Sequence, residues 1–166
     1  MILYHGSDTA VAEPKIIAAN RMLDFGEGFY TTSSHEQAIR WARRIKQVRN
    51  SSKEIISLYE FDMDKAVQEL DIIRFDSPSP EWLHFVTACR SGKETGARYD
   101  LAIGPVANDN VYSTIQLFEA GAYSEAEAII RLKVERIFDQ FLFHTVKALR
   151  YCVYAGYEHI EGQADG

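Results

Sequence analysis

Between Asp24 and Ala42 the chain reads DFGEGFYTTSSHEQAIRWA, a glycine turn, a run of β-formers and a helix start in immediate succession. Gly26 and Gly28 mark the turn, GFYTT reads as a strand, and Ser34 followed by Gln37 matches a capping box. Ala38, Trp41, Ala42, Ile45 and Val48 then recur at helical spacing, which predicts a helix from Ser34 to Arg49. Around this stretch, ILYHG, EIISLYEFD, ELDIIRF, YDLAIGPV and RIFDQFLFHT read as strands, and EPKIIAANR as a brief helical or extended link. SPEWLHFVTACRS, NDNVYSTIQLFEAG and SEAEAIIRLK read as helices, and TVKALRYCVYAGYEHI as a short helix turning into a last strand. Strands and helices do not alternate regularly enough for a doubly wound sheet. An α+β arrangement of antiparallel strands in two packed sheets fits better.

No Pro/Gly/Ser-rich linker, repeat or low-complexity segment divides the 166 residues, so one domain over residues 1–160 is expected, with a frayed tail over 161–166. Apolar residues make up 46% and charged residues 25%, the balance of a folded soluble chain. No apolar run has the length to span a bilayer, and MILYHGSDTAVAEPK lacks the pattern of a secretory signal. Cys89 and Cys152 sit in apolar contexts and read as buried free thiols of a reducing compartment, so a cytoplasmic protein with no membrane partner is expected. With 24 acids against 18 bases, the net charge of −6 disfavours generic binding to nucleic acid. Arg40, Arg43, Arg44, Lys46 and Arg49 form a local basic cluster, read first as a solvated helix face.

Several chemistries lack their signatures. The five histidines show neither an H-E-x-x-H pattern nor a Cys-x-x-Cys partner, so no metal is expected. There is no G-x-S-x-G elbow and no G-x-x-x-x-G-K-[ST] loop, and Asp24-Phe25-Gly26 has no H-R-D upstream, so its match to a kinase motif is chance. Two features remain. In LYHGS, His5 ends a strand and precedes Gly6 and Ser7. A glycine lets a planar ligand lie against the backbone, where N–H and C=O can bind an amide edge. His5 could donate to a ribose hydroxyl and Ser7 add a hydrogen bond; the alternative is a strand-end histidine in a polar rim. Second, Tyr30 on a strand and Trp41 on the next helix could sandwich a flat ring, with cation–π attraction if the ring is cationic. Trp41 also falls on the apolar stripe and could be core.

Taken together, YHGS (Tyr4–Ser7), EGFYTTSSHEQAIRWA (Glu27–Ala42) and RIFDQFLF resemble the ADP-ribosyltransferase superfamily, in its histidine–tyrosine–glutamate branch of diphtheria toxin and the poly(ADP-ribose) polymerases. A closer resemblance, over nearly the whole chain, is to a small bacterial family of unknown function assigned to that superfamily, whose pattern includes YDLAIGPVANDNVYSTIQLFEAG (Tyr99–Gly121). The resemblance implies a split antiparallel β-sandwich flanked by helices, with NAD as co-substrate and no metal. It places His5 on the ribose hydroxyls and the Gly6 backbone on the nicotinamide carboxamide. Tyr30 would stack on nicotinamide, with Trp41 closing the other side and Tyr4, Ser7, Phe29 and Thr31 bordering the pocket. Gln140 would stand where the family carries its catalytic glutamate.

That last position departs from the family pattern. Glutamate accepts a hydrogen bond from the ribose 2′-hydroxyl, and its charge stabilises the oxocarbenium-like cation. Glutamine keeps the hydrogen bond and loses the charge, which favours single-residue transfer over polymer extension. Of two nearby acids, Asp139 alternates to the opposite strand face from Gln140. Asp109 lies in a plausible substrate-side loop, or caps the helix that follows. The implied activity is mono-ADP-ribosyl transfer to an acceptor, a protein first and a nucleic acid or small molecule second, in the setting of an effector or of a toxin with a protein antitoxin. A non-catalytic NAD or ADP-ribose binding module and an NAD glycohydrolase are the alternatives.

Overall fold

The computed structural model describes residues 1–18, 23–93, 98–107, 109–133 and 137–160. Part of the EPKIIAANR link, the first residues of NDNVYSTIQLFEAG and RIFDQFLFHT, and the expected frayed tail lie outside them. The described residues of the link take no regular structure.

Among the described residues, seven strands form two sheets. The first holds β1 (Ile2–Ser7), β3 (Ile55–Phe61) and β7 (Cys152–His159), in the order β1-β3-β7 and antiparallel throughout. The second holds β2 (Phe29–Thr31), β4 (Ile72–Arg74), β5 (Leu101–Pro105) and β6 (Asp139–Phe143), in the order β2-β6-β5-β4. The helices are α1 (His35–Arg49), α2 (Met63–Glu69), α3 (Pro80–Arg90), α4 (Asp109–Glu119), α5 (Glu125–Leu132) and α6 (Val146–Leu149). The α+β class is therefore as expected, with two differences. β4 runs parallel to β5, because α3 connects them as a crossover and a crossover returns the chain in the same direction. And α2 arises where no helix is predicted: it has only seven residues and buries only Ala66, too little periodicity to read.

Strand alternation sends side chains to two cores. Leu3, Tyr59 and Phe61 of the first sheet meet Phe29, Leu101, Ile103, Phe141 and Phe143 of the second, so one core lies between the sheets. On its other face the second sheet turns Ala102 and Leu142 toward Trp82, Leu83 and Val86 of α3, Val111 and Ile115 of α4, and Leu132 of α5. Covered on both faces, β5 is buried along its whole length, and hence apolar without alternation.

Two local features place the candidate site. Ser34 caps α1 by accepting from the Gln37 backbone N–H, while its own N–H is satisfied by Thr32 Oγ1. Tyr4 and Thr32 exchange backbone hydrogen bonds of 2.8 and 2.9 Å, an isolated bridge that splices the free edge of β1 to the end of β2. The basic face of α1 is paired rather than bare: Arg40 meets Glu36, Arg43 and Lys46 meet Glu54, and Arg49 meets Asp8.

Candidate functional site

The Tyr4–Thr32 bridge brings the two sequence features together. His5 points into the space between the sheets, where its ring lies 4.5 Å from that of Phe29 and its Nδ1 is 2.7 Å from the Tyr30 carbonyl oxygen. A carbonyl only accepts, so Nδ1 carries the proton. Burial lowers the histidine's affinity for a second proton, outweighing the Tyr30 carbonyl, and the Arg49 charge adds to the lowering. Neutral His5 thus offers Nε2 as a lone pair: it accepts from a hydroxyl rather than donating to one, contrary to the sequence expectation.

Gly6 follows on the same edge. The N–H and C=O of Tyr4 point away from β3 to Thr32, and the alternation of an antiparallel ladder turns those of Gly6 the same way. No described residue accepts or donates to them, although Gly6 is buried. A buried backbone pair without partners is rare and marks a place that another molecule can satisfy. The glycine has a structural reason as well. A Cβ there would stand 1.9 Å from the Ala38 carbonyl oxygen and 2.7 Å from the Ala42 nitrogen, because α1 lies directly on the strand. Ser7 is buried and its hydroxyl donates to Asp8. Burial works to raise the Asp8 carboxyl, but its own backbone N–H and Arg49 outweigh this and hold it below its ordinary value.

The glycine turn holds the ring of Tyr30. Its hydroxyl donates to the Gly26 carbonyl at 2.6 Å and accepts from the Phe25 N–H at 3.2 Å, so the turn clamps the far end of the ring. Burial, then the nearby Asp24 charge, raises the phenol well above its ordinary value, and it stays neutral. Gly28 is needed to close the turn: a side chain there would meet the Phe143 carbonyl oxygen at 2.4 Å, and its φ of 155° lies in glycine territory. Phe29 and Thr31 alternate to the opposite face, Phe29 into the core and Thr31 with its hydroxyl on the Phe141 carbonyl. Phe29 meets the junction through its ring on His5. Tyr4 sets its ring edge-on to His35, 5.2 Å away. Trp41 is half-buried one turn after Gln37, and no ring contact joins it to Tyr30.

Gln140 shares the face of Tyr30, beside Leu142. It is 2% exposed, and its Nε2 donates to Asp24 Oδ2 at 3.2 Å and to the Pro105 carbonyl at 3.1 Å. Asp24 in turn receives Arg90 through Nε at 2.9 Å and through a second guanidinium nitrogen, and the Ala107 N–H at 2.9 Å. Neither Asp24 nor Arg90 was a sequence candidate. They are 66 residues apart, and the only local signal was an aspartate opening the glycine turn. Asp139 does take the opposite side, where it binds Thr32 and Ser33 and fastens the loop before α1. Asp109 opens α4 with its backbone; its side chain lies outside the described residues.

A family model described as "Protein of unknown function (DUF3990)" matches residues 1–154. The chain belongs to the DUF3990 family. No curated protein matches it. In this DUF3990 chain a groove of about 1040 Å³ lies elsewhere, among residues such as Asp62, Lys65, Glu69, Lys147 and Arg150, and none of the candidate site residues lines it.

His144 directly follows β6. Its Nδ1 is 2.9 Å from the Glu27 carbonyl, Nε2 is buried without a partner, and burial lowers its proton affinity despite that carbonyl. His5 and His144 both hold protons less readily folded than unfolded, so stability is full above the ordinary histidine value of 6.5 and falls as pH drops below it. Urea melts on either side of that value are expected to show the loss, with a shallower acid slope for His144→Gln. An equal slope in that variant would mean that His144 does not contribute.

Proposed function

We propose that this chain is a mono-ADP-ribosyltransferase that cleaves NAD and passes ADP-ribose to an acceptor, a protein side chain first. The observation that carries the reading is the splice between the sheets, which holds neutral His5 on the Tyr30 backbone carbonyl beside the unpartnered backbone edge of Gly6, with the clamped ring of Tyr30 on the other face of β2. That set fits the nicotinamide riboside end of NAD. The Gly6 N–H and C=O match the two halves of a carboxamide, the Tyr30 ring offers a wall for a flat cationic ring, and His5 Nε2 accepts from a ribose hydroxyl. In the reaction the C1′–N bond breaks with its electron pair leaving on nicotinamide. The acceptor's lone pair then forms the new bond to C1′, and its proton passes to solvent. Orientation and electrostatics supply the rate.

Labelled NAD incubated with the protein, with and without cell lysate, tests this by comparing nicotinamide release with label transfer. Lysate-dependent transfer is expected, with His5→Ala and Tyr30→Ala each lowering it by on the order of 10²-fold, the loss typical of one preorganised contact. Release without transfer would make the protein a glycohydrolase. The burial and neutrality of Gln140 favour one second reading, an NAD or ADP-ribose binding module. It predicts calorimetric binding that Tyr30→Ala abolishes, with no turnover.

A further inference from the structure

We propose that the negative charge of this site resides at Asp24 and reaches the reacting ribose through Gln140, Asp24 being a positioning residue rather than a group that touches substrate. The inference rests on the transferase reading. Position 140 holds an amide where the chemistry calls for a carboxylate, yet a carboxylate is present one hydrogen bond away, 10% exposed at its side chain.

The hydrogen bonds fix how the two act together. Both neighbours of Gln140 Nε2, the Asp24 carboxylate and the Pro105 carbonyl, are acceptors. The amide nitrogen must therefore face them, and Oε1 must point the other way. No described residue donates to Oε1. Donation to an anion polarises an amide and enriches its oxygen in negative charge. An oxygen so placed accepts from a ribose hydroxyl as a carboxylate would. Asp24 is held for this from every side: Arg90 of α3, the Ala107 N–H beyond β5, and Gln140 of β6, with the Tyr30 phenol on the neighbouring turn.

The same geometry makes a counterintuitive prediction about restoring the family's glutamate. Gln140→Glu alone sets a second carboxyl against Asp24 and the Pro105 carbonyl, where it has nothing to accept from and must hold a proton. It is expected to lose activity, not gain it. Asp24→Asn alone removes the charge. The double exchange, Asp24→Asn with Gln140→Glu, moves the charge to position 140 but sets that carboxylate against the Pro105 carbonyl and an amide nitrogen against the Ala107 N–H, so it does not rebuild the clamp.

The test is NAD cleavage by the full chain and these three variants, with kcat and KM separated. Each single change is expected to lower kcat by about 10²-fold with KM little altered, and the double exchange to recover none of the loss. An Asp24→Asn variant that keeps the wild-type kcat, or a double exchange that regains it, in variants that melt cooperatively, overturns the inference and leaves the transferase reading standing. A wild-type protein that neither releases nicotinamide nor transfers label overturns both. A measurement on the wild type needs no variant to fold: the side-chain amide protons of Gln140 are expected to exchange slowly with solvent. Exchange as fast as that of a surface glutamine would also overturn the inference.

Discussion

Gly6→Ala is expected to destabilise the protein by about 3 kcal/mol, the upper end of the usual cost of overpacking. The added methyl would point at the backbone of α1, 1.9 Å from the Ala38 carbonyl oxygen, and a backbone cannot rotate away as a side chain can. Relief requires α1 to lift off β1, which would disturb the Ser34 cap and the Arg49–Asp8 pair together. Denaturant melts should show a lower midpoint with an unchanged slope. A change within about 0.5 kcal/mol, the range of a neutral surface substitution, would mean that α1 does not sit on Gly6. The prediction bears on function too: loss of NAD binding in this variant would report a displaced helix as readily as a lost backbone contact. His5→Ala and Tyr30→Ala are for that reason the better probes of the site.

Gly6 also shows how far the sequence could be read. Its place on a strand beside His5 was legible, because a strand is a local pattern. That a helix from residues 35–49 presses on it was not, because helix–strand approach depends on packing. Caps at Ser34 and Ser79 were legible for the same local reason, and each accepts from a backbone N–H at a helix start, as Ser124 also does. The Ser34–Gln37 box is only half made, since Thr32 supplies the other bond, whereas Ser124 and Glu127 make both. The short α2 and the parallel pairing of β4 with β5 depend on what each element meets in space. The residue least legible of all was Asp24. Its partners Arg90, Ala107 and Gln140 are 66, 83 and 116 positions away, and no spacing rule joins a turn aspartate to them.

Asp24→Ala is expected to cost about 3–5 kcal/mol, the range for breaking a buried ion pair from one side. The change removes more than one bond. It strands the Arg90 guanidinium, whose side chain is only 16% exposed, and deprives the Ala107 N–H and the Gln140 amide of an acceptor. Most of that cost is the isolated cation, so Arg90→Met in the same chain should return much of it, even though it gives up the stacking of Arg90 on Tyr112 at 4.3 Å. A double-mutant cycle by urea unfolding measures the coupling. A single-variant cost under about 1 kcal/mol, no more than an exposed pair contributes, would mean that the clamp is solvated and cannot orient Gln140. The cycle and the Asp24→Asn, Gln140→Glu exchange answer different questions. Replacing charge by methyl groups can keep the fold, since a well-packed apolar pair is often as stable as a buried salt bridge. Only a carboxylate at position 24 facing the Gln140 amide can keep the chemistry. A protein that is stable as Asp24→Ala/Arg90→Met yet inactive, and inactive as the exchanged pair, would show that the charge at this position serves the reaction rather than the fold.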